Sequence, residues 1–315
     1  MPCYHPLQAY YSVRSDGKKD LHFSSELTKF ASRSFHEGKK LPASLAGSFL
    51  SLPCGRCMGC RLERSRQWAV RIMHEAQLYE DNCFITLTFD EDNLKKMCPN
   101  GSLDRKHMQN FLKRLRQKFG DRKIRTFYCG EYGDDLGRPH YHACLFNLDF
   151  TDKLFWKSVN GCRYYTSKSL RDVWTFGHSV VGDLTFDSAA YVARYCTKKV
   201  TGDKALIEDH YKGRLPEFCQ ASLKPGIGSG WLDRFGASDV FPLDEVVVRG
   251  VRCKPPRYYD KRLERDDPIA FEKLKLLRLE RAKDKEDDNT HARLLVKEKC
   301  QQARFKKLIR TLERS

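Results

Sequence analysis

No stretch of this chain is long and apolar enough to cross a bilayer, and neither a secretory signal nor a lipidation motif is legible. The expectation is therefore a soluble protein of the cytoplasm, with no membrane partner. The pattern G-x-x-x-x-G-K-[ST] is also missing, so no helicase motor of that type is encoded. Acidic residues are in short supply: 41 Asp and Glu stand against 58 Lys and Arg, a formal net charge of +17. Such an excess points to a polyanionic partner, most simply nucleic acid, with a charged membrane surface as the rival. Internal repeats are absent as well.

What is present is a globular composition, 40% hydrophobic and 12% aromatic over 315 residues, enough for one large domain or two smaller ones. Thirteen cysteines are many. An odd count without a secretory signal suits reduced thiols, most of them buried singletons such as Cys83, Cys144 and Cys196. One group differs. Cys54, Cys57 and Cys60 form C-x-x-C-x-x-C, with Gly55 and Gly59 allowing tight turns. Three thiolates need a fourth ligand for a tetrahedral zinc site, and Cys3 of "MPCYHP" supplies one, with His5 nearby. An iron–sulfur cluster suits the same thiolates, and ordinary reduced cysteines are the bland alternative.

Periodicity divides the chain into four stretches. Residues 1–80 hold the Cys-rich segment and a helix whose arginines, Arg61, Arg64, Arg66 and Arg71, lie largely off its apolar stripe and are candidate DNA contacts. Residues 81–202 are expected to form an α+β core. "CFITLTFD" (83–90) reads as a strand; Asp104 or Ser102 caps a helix running to Phe119; "IRTFYCGE" (124–131) and "HYHACLFN" (140–147) read as a hairpin. A short helix (167–177), a strand (178–186) and a helix capped by Asp187 follow. This order predicts the split β-α-β-β-α-β, ferredoxin-like arrangement: an antiparallel sheet with helices on one face and the other face left for a site. Residues 203–260 look irregular. Residues 261–315 are helical and charged, with 17 Lys and Arg against 11 Asp and Glu, most simply a solvated face. That local +6 leaves +11 upstream, so the basic character is not confined to the tail.

Two constellations carry chemistry. In a strand, residues two apart share a face, so His140 and His142 project side by side, and the hairpin brings Glu131 beside them. Two imidazoles and a carboxylate make a metal site with open positions. In "YVARYCTKK", Tyr191 and Tyr195 lie one helical turn apart, Lys198 shares their face and Lys199 lies close to it. Either group alone has an ordinary structural explanation. Together, a bound metal can polarise a phosphodiester while a tyrosine attacks phosphorus. A free phenol titrates near about 10, so a neighbouring lysine and the metal would favour phenolate.

"FITLTFD", "GRPHYHACLF" and "YVARYCTKK", in that order, resemble the HUH endonucleases, and more closely the rolling-circle replication initiators of small single-stranded DNA phages of the gokushovirus type. The resemblance covers about residues 54–200. One departure is Tyr141 between the histidines, where an aliphatic residue is usual; it faces away from the metal. The resemblance implies an origin-nicking endonuclease and strand transferase of the two-tyrosine type. Tyr191 and Tyr195 would be its nucleophiles, Lys198 a helper, His140, His142 and Glu131 its ligands for Mg²⁺ or Mn²⁺, and Lys199 a DNA contact. It also implies action on origin DNA, single-stranded or supercoiled, in the host bacterial cytoplasm, with host replication proteins including a helicase. Two rivals remain: a non-haem iron oxygenase using the same triad, which oxygen dependence would reveal, and a non-catalytic nucleic-acid-binding protein, whose function would survive Tyr→Phe.

Overall fold

The computed structural model describes residues 3–13, 15–23, 29, 33, 37, 49–133, 136–159, 161–198 and 204–307; the side chains at 13, 19 and 195–198 lie outside that description. The chain divides into two compact units, one holding the described residues up to Glu63 with those of 268–307, the other Arg64–Asp267. In the first unit β1 (Leu7–Val13) pairs antiparallel with β2 (Lys19–His22) and β3 (Phe49–Leu52). Helix α1 (Met58–Ala76) follows, and the division between units falls within it.

The second unit is built on β4 (Asn82–Thr88), α2 (Glu91–Met97), α3 (Arg105–Lys118), β5 (Arg125–Tyr132), β6 (Pro139–Phe146), β7 (Lys153–Val159), β8 (Cys162–Ser167), α4 (Lys168–Val173), β9 (Ser179–Asp183) and α5 (Phe186–Lys198). Short polar side chains set the helix starts: Asp90, Asp104 and Ser167 each accept a backbone amide of the first turn of α2, α3 and α4. Helix α5 starts differently from expectation. Thr185 and Ser188 exchange hydroxyl–amide hydrogen bonds, which leaves Asp187 inside the first turn rather than at the cap.

Residues 204–260 are more regular than their sequence implies, because much of their order comes from distant partners. They contribute α6 (Lys204–Tyr211), β10 (Phe218–Ala221), α7 (Ser229–Phe235), a π-helical turn (Gly236–Val240), the pair β11 (Val246–Val248) and β12 (Val251–Cys253), and α8 (Arg257–Asp266). Helices α9 (Pro268–Lys283) and α10 (His291–Lys306) return to the first unit, where His5 Nε2 lies 2.8 Å from a Glu298 oxygen.

Seven strands form one antiparallel sheet in the order β10-β5-β6-β4-β9-β8-β7. Its middle four, β5-β6-β4-β9, have the split β-α-β-β-α-β order, with β6 central, and the two crossover helices lie on one face. There Ile85, Leu87, Ala143 and Leu145 pack against Met108, Phe111 and Leu115 of α3 and Leu170 of α4. Burying each such side chain contributes about 1.5–3 kcal/mol. The opposite face is covered as well: Phe84, Phe127, Cys144 and Phe146 meet Ala69 and Ile72 of α1 and Ala189 and Val192 of α5. A buried ion pair between Glu75 and Arg125 ties α1 to β5, and Glu75 also accepts the Gly228 amide at 2.7 Å.

Two local features hold the frame around the site. Gly177 has φ +146°, and a Cβ there would lie 2.3 Å from the Asp90 nitrogen and 2.6 Å from the Thr88 oxygen, so glycine lets this loop pair closely with the end of β4. Tyr141 points away from the histidines into the crossover face. Its hydroxyl donates to the Asp104 carbonyl (3.0 Å), accepts the Asp104 amide (3.1 Å) and meets His107 Nδ1 (2.8 Å).

Candidate metal centre and tyrosine helix

Cross-strand register builds the centre. Glu131 of β5 lies directly opposite His140 of β6, and on the other side Thr86 and Thr88 of β4 lie opposite His142 and His140. One oxygen of Glu131 gathers the cluster: Oε1 is 2.7 Å from His140 Nε2 and 2.8 Å from His142 Nε2. The imidazole planes stand 86° apart with centroids at 5.1 Å. Glu131 and His142 are buried, whereas His140 is partly open to solvent. Burial acts to raise the Glu131 carboxyl, but hydrogen bonds from both histidines outweigh it and hold the group down at about 2.

The outer ring nitrogens fix the geometry. His140 Nδ1 lies 3.1 Å from the Arg138 carbonyl. A carbonyl only accepts, so Nδ1 carries the proton, and Nε2 of a neutral ring then turns its lone pair toward a carboxylate oxygen. The N, N, O donor set fits a divalent ion, since all three ligand atoms lie within 4.8 Å of one another. His142 Nδ1 is 2.9 Å from Thr86 Oγ1, and Phe84 stacks on its ring. Thr86 and Phe84 were missed as site residues; the signal was their alternation in "FITLT", which puts both on the histidine face.

Helix α5 brings Tyr191 to this cluster. Its ring packs edge-on against His142 at 5.2 Å, and its hydroxyl lies 3.5 Å from Glu131 Oε1. The Arg194 guanidinium sits 5.6 Å from the Tyr191 ring centroid. The side chains of Tyr195 and Lys198 lie outside the described residues, although α5 runs through both positions; Lys199 lies outside them entirely.

Among the four arginines of α1, Arg64 stands exposed. Arg66 reaches the Cys253 sulfur at 3.2 Å and Arg61 is half-buried. Arg71 is built into packing: its guanidinium lies between Trp68 (4.1 Å) and Tyr258 (3.9 Å) and donates to the Ile227 carbonyl. That sandwich uses the cation as a core element rather than offering it to a phosphate.

In the first unit the sulfurs of Cys3, Cys54, Cys57 and Cys60 lie within 4.8 Å of one another. Backbone amides point at them: Tyr4 N to Cys57 (3.4 Å), Cys54 N to Cys3 (3.2 Å) and Cys57 N to Cys54 (3.3 Å). Four thiols with this amide support fit a tetrahedral thiolate-bound metal. His5 is engaged elsewhere, with Glu298.

A family model described as replication-associated protein ORF2/G2P matches residues 82–200, the stretch that carries the sheet centre and the tyrosine helix. Replication-associated protein VP4 of Bdellovibrio phage phiMH2K is 32% identical over 270 residues, covering 80% of this chain and 82% of that one. Replication-associated protein ORF2 of Spiroplasma virus 4 is 34% identical, covering 69% and 68%. Replication-associated protein ORF4 of Chlamydia phage 1 is also 34% identical, covering 66% and 52%. No solved structure matches. On these matches, the chain belongs to the replication-associated proteins of small single-stranded DNA phages.

Proposed function

We propose that the chain nicks one strand at a phage origin and later rejoins it, starting rolling-circle replication through a 5′-phosphotyrosine. The observation that carries this reading is the approach of the Tyr191 hydroxyl to 3.5 Å of the Glu131 oxygen that both histidines address. In the nick, the phenolic oxygen bonds to phosphorus and the bond to the 3′ oxygen breaks. The phenolic proton passes to solvent, and the leaving 3′ oxygen takes a proton from solvent to become a hydroxyl. His140, His142 and Glu131 would hold Mg²⁺ or Mn²⁺, which would supply Lewis-acid polarisation of the scissile phosphate. Arg138 and Thr86 orient the two rings through their outer nitrogens. Tyr195, one turn along α5, is the second nucleophile in this reading, and Lys198 and Lys199 add positive charge for phenolate and phosphate.

Origin DNA, single-stranded or supercoiled, is the substrate, and the site of action is the cytoplasm of the bacterial host. No described helix is long and apolar enough to cross a membrane. A host helicase opens the duplex in this reading. The four cysteines hold a structural zinc that fixes the N-terminal segment to the start of α1.

The test is covalent adduct formation on end-labelled origin oligonucleotides in Mn²⁺, read on a denaturing gel. Tyr191→Phe and Tyr195→Phe singly retain some cleavage but fail at repeated cleavage and rejoining. The double replacement binds DNA without forming an adduct. An adduct that persists in the double variant overturns the nucleophile assignment, and loss of all adduct in one single variant replaces alternation with a one-tyrosine mechanism.

A further inference from the structure

Strand β10 is the outer edge of the seven-stranded sheet, and a cleft of about 810 Å³ runs along it. Arg64 and Trp68 of α1 wall it on one side. Arg105, Gln109 and Arg116 of α3, spaced to share a helix face, wall the other. The floor is the edge strand itself. Ser222 N donates to the Thr126 carbonyl toward β5, so by antiparallel alternation Cys219 and Ala221 turn their backbone polar groups outward, into the cleft.

The charge here is uncompensated. Arg64, Arg105 and Arg116 are exposed and make no ion pair with a described residue. Some exposed arginines elsewhere are paired, Arg122 with Asp81, Arg249 with Asp187 and Arg252 with Glu245, while Arg171, Arg234 and Arg257 make no ion pair with a described residue. The acidic residue of the lining, Glu217, is buried and accepts the Tyr211 hydroxyl at 2.5 Å. Half-buried Trp68 and Leu223, 80% exposed, add apolar surface.

We propose that this edge cleft is a binding channel for single-stranded DNA, its phosphates held by Arg64, Arg105 and Arg116. Basic walls beside aromatic and apolar surface form the combination that grips an extended strand irrespective of sequence. The cleft follows the strand next to the one that carries Glu131: Phe218 of β10 pairs with Gly130 of β5, the residue before Glu131. The inference rests on the reading that the chain acts on DNA, but not on its tyrosine chemistry. An acidic extended peptide adding to the same sheet edge is the competing occupant.

The test uses the full chain with chelator present, so that no cleavage occurs, and a fluorescent oligothymidylate whose anisotropy is followed across a salt series. In the Arg64→Gln/Arg105→Gln/Arg116→Gln variant the slope of log affinity against log salt becomes shallower by about 2, because each phosphate contact on a single strand contributes about 0.7. If the triple variant melts lower than the parent, Arg116→Gln alone is used, with an expected slope change of about 0.7. An unchanged slope and affinity overturn the channel. So does loss of labelled oligoglutamate binding in the variant with DNA binding intact. A shallower slope in a chain that forms no adduct in Mn²⁺ keeps the channel and removes the nuclease reading instead.

Discussion

Thr86 Oγ1 lies 2.9 Å from Nδ1 of His142, the ring nitrogen that does not face Glu131. The hydroxyl reaches across the β4–β6 register and fixes the ring's rotation, so that Nε2 stays on the carboxylate. Groups in this position typically change metal affinity by about 10–100-fold when lost. Thr86→Val keeps the shape and removes the oxygen. Mn²⁺ affinity by calorimetry is expected to fall about tenfold with an unchanged melting temperature; unchanged affinity would show that packing by Phe84 alone positions the ring.

The cysteine cluster gives a second prediction. Protein purified without chelator contains about one zinc per chain, and Cys57→Ser loses it, because a thiolate site of this kind is part of the folding energy. Elemental analysis decides, and iron in place of zinc would assign a cluster of the other kind.

His74 predicts a pH dependence that involves no metal. It is buried and stacked on Trp231, with Nδ1 2.8 Å from the Tyr259 hydroxyl, and burial pushes its pKa down to about 4. The unfolded value is about 6.5. The folded state therefore binds fewer protons between these values, and stability rises with pH across the window. The contribution, about 3 kcal/mol, is complete above about 6.5 and lost as pH falls toward 4. Urea unfolding of His74→Gln should show a flatter stability profile between pH 4 and about 6.5 than the parent.

At Gly177, alanine would press its Cβ against the Asp90 nitrogen and the Thr88 oxygen, both backbone atoms that cannot swing aside. Gly177→Ala should destabilise by about 3 kcal/mol, combining steric overlap with a positive φ. A melting temperature within a degree or two of the parent would show that the loop shifts freely.

The centre of the fold was legible because its signals are local. "FITLTFD" alternates, Asp104 caps, and His140 and His142 share a face by strand geometry alone. The β7–β8 hairpin was missed although "NG" at 160–161 between two aromatic-rich runs is a strong turn signal. Its outer strand exposes Leu154, Phe155 and Trp156, so no buried alternation marked it. Strand β10 was invisible for another reason: four residues become a strand only because β5, some ninety residues earlier, is there to pair. Arg71 misled in the same way. It sits off the apolar stripe like a solvent-facing cation, and the Tyr258 ring that covers it lies 187 positions along the chain.

Tyr141 separates the two histidines in sequence and stands behind them in space. Its hydroxyl is held by both backbone groups of Asp104 and by His107, at the start of α3. A shift of β6 toward the crossover helices strains those bonds before either imidazole is displaced. The strand thus has a backstop, and the two imidazoles in front of it stand against an anvil rather than against a soft core.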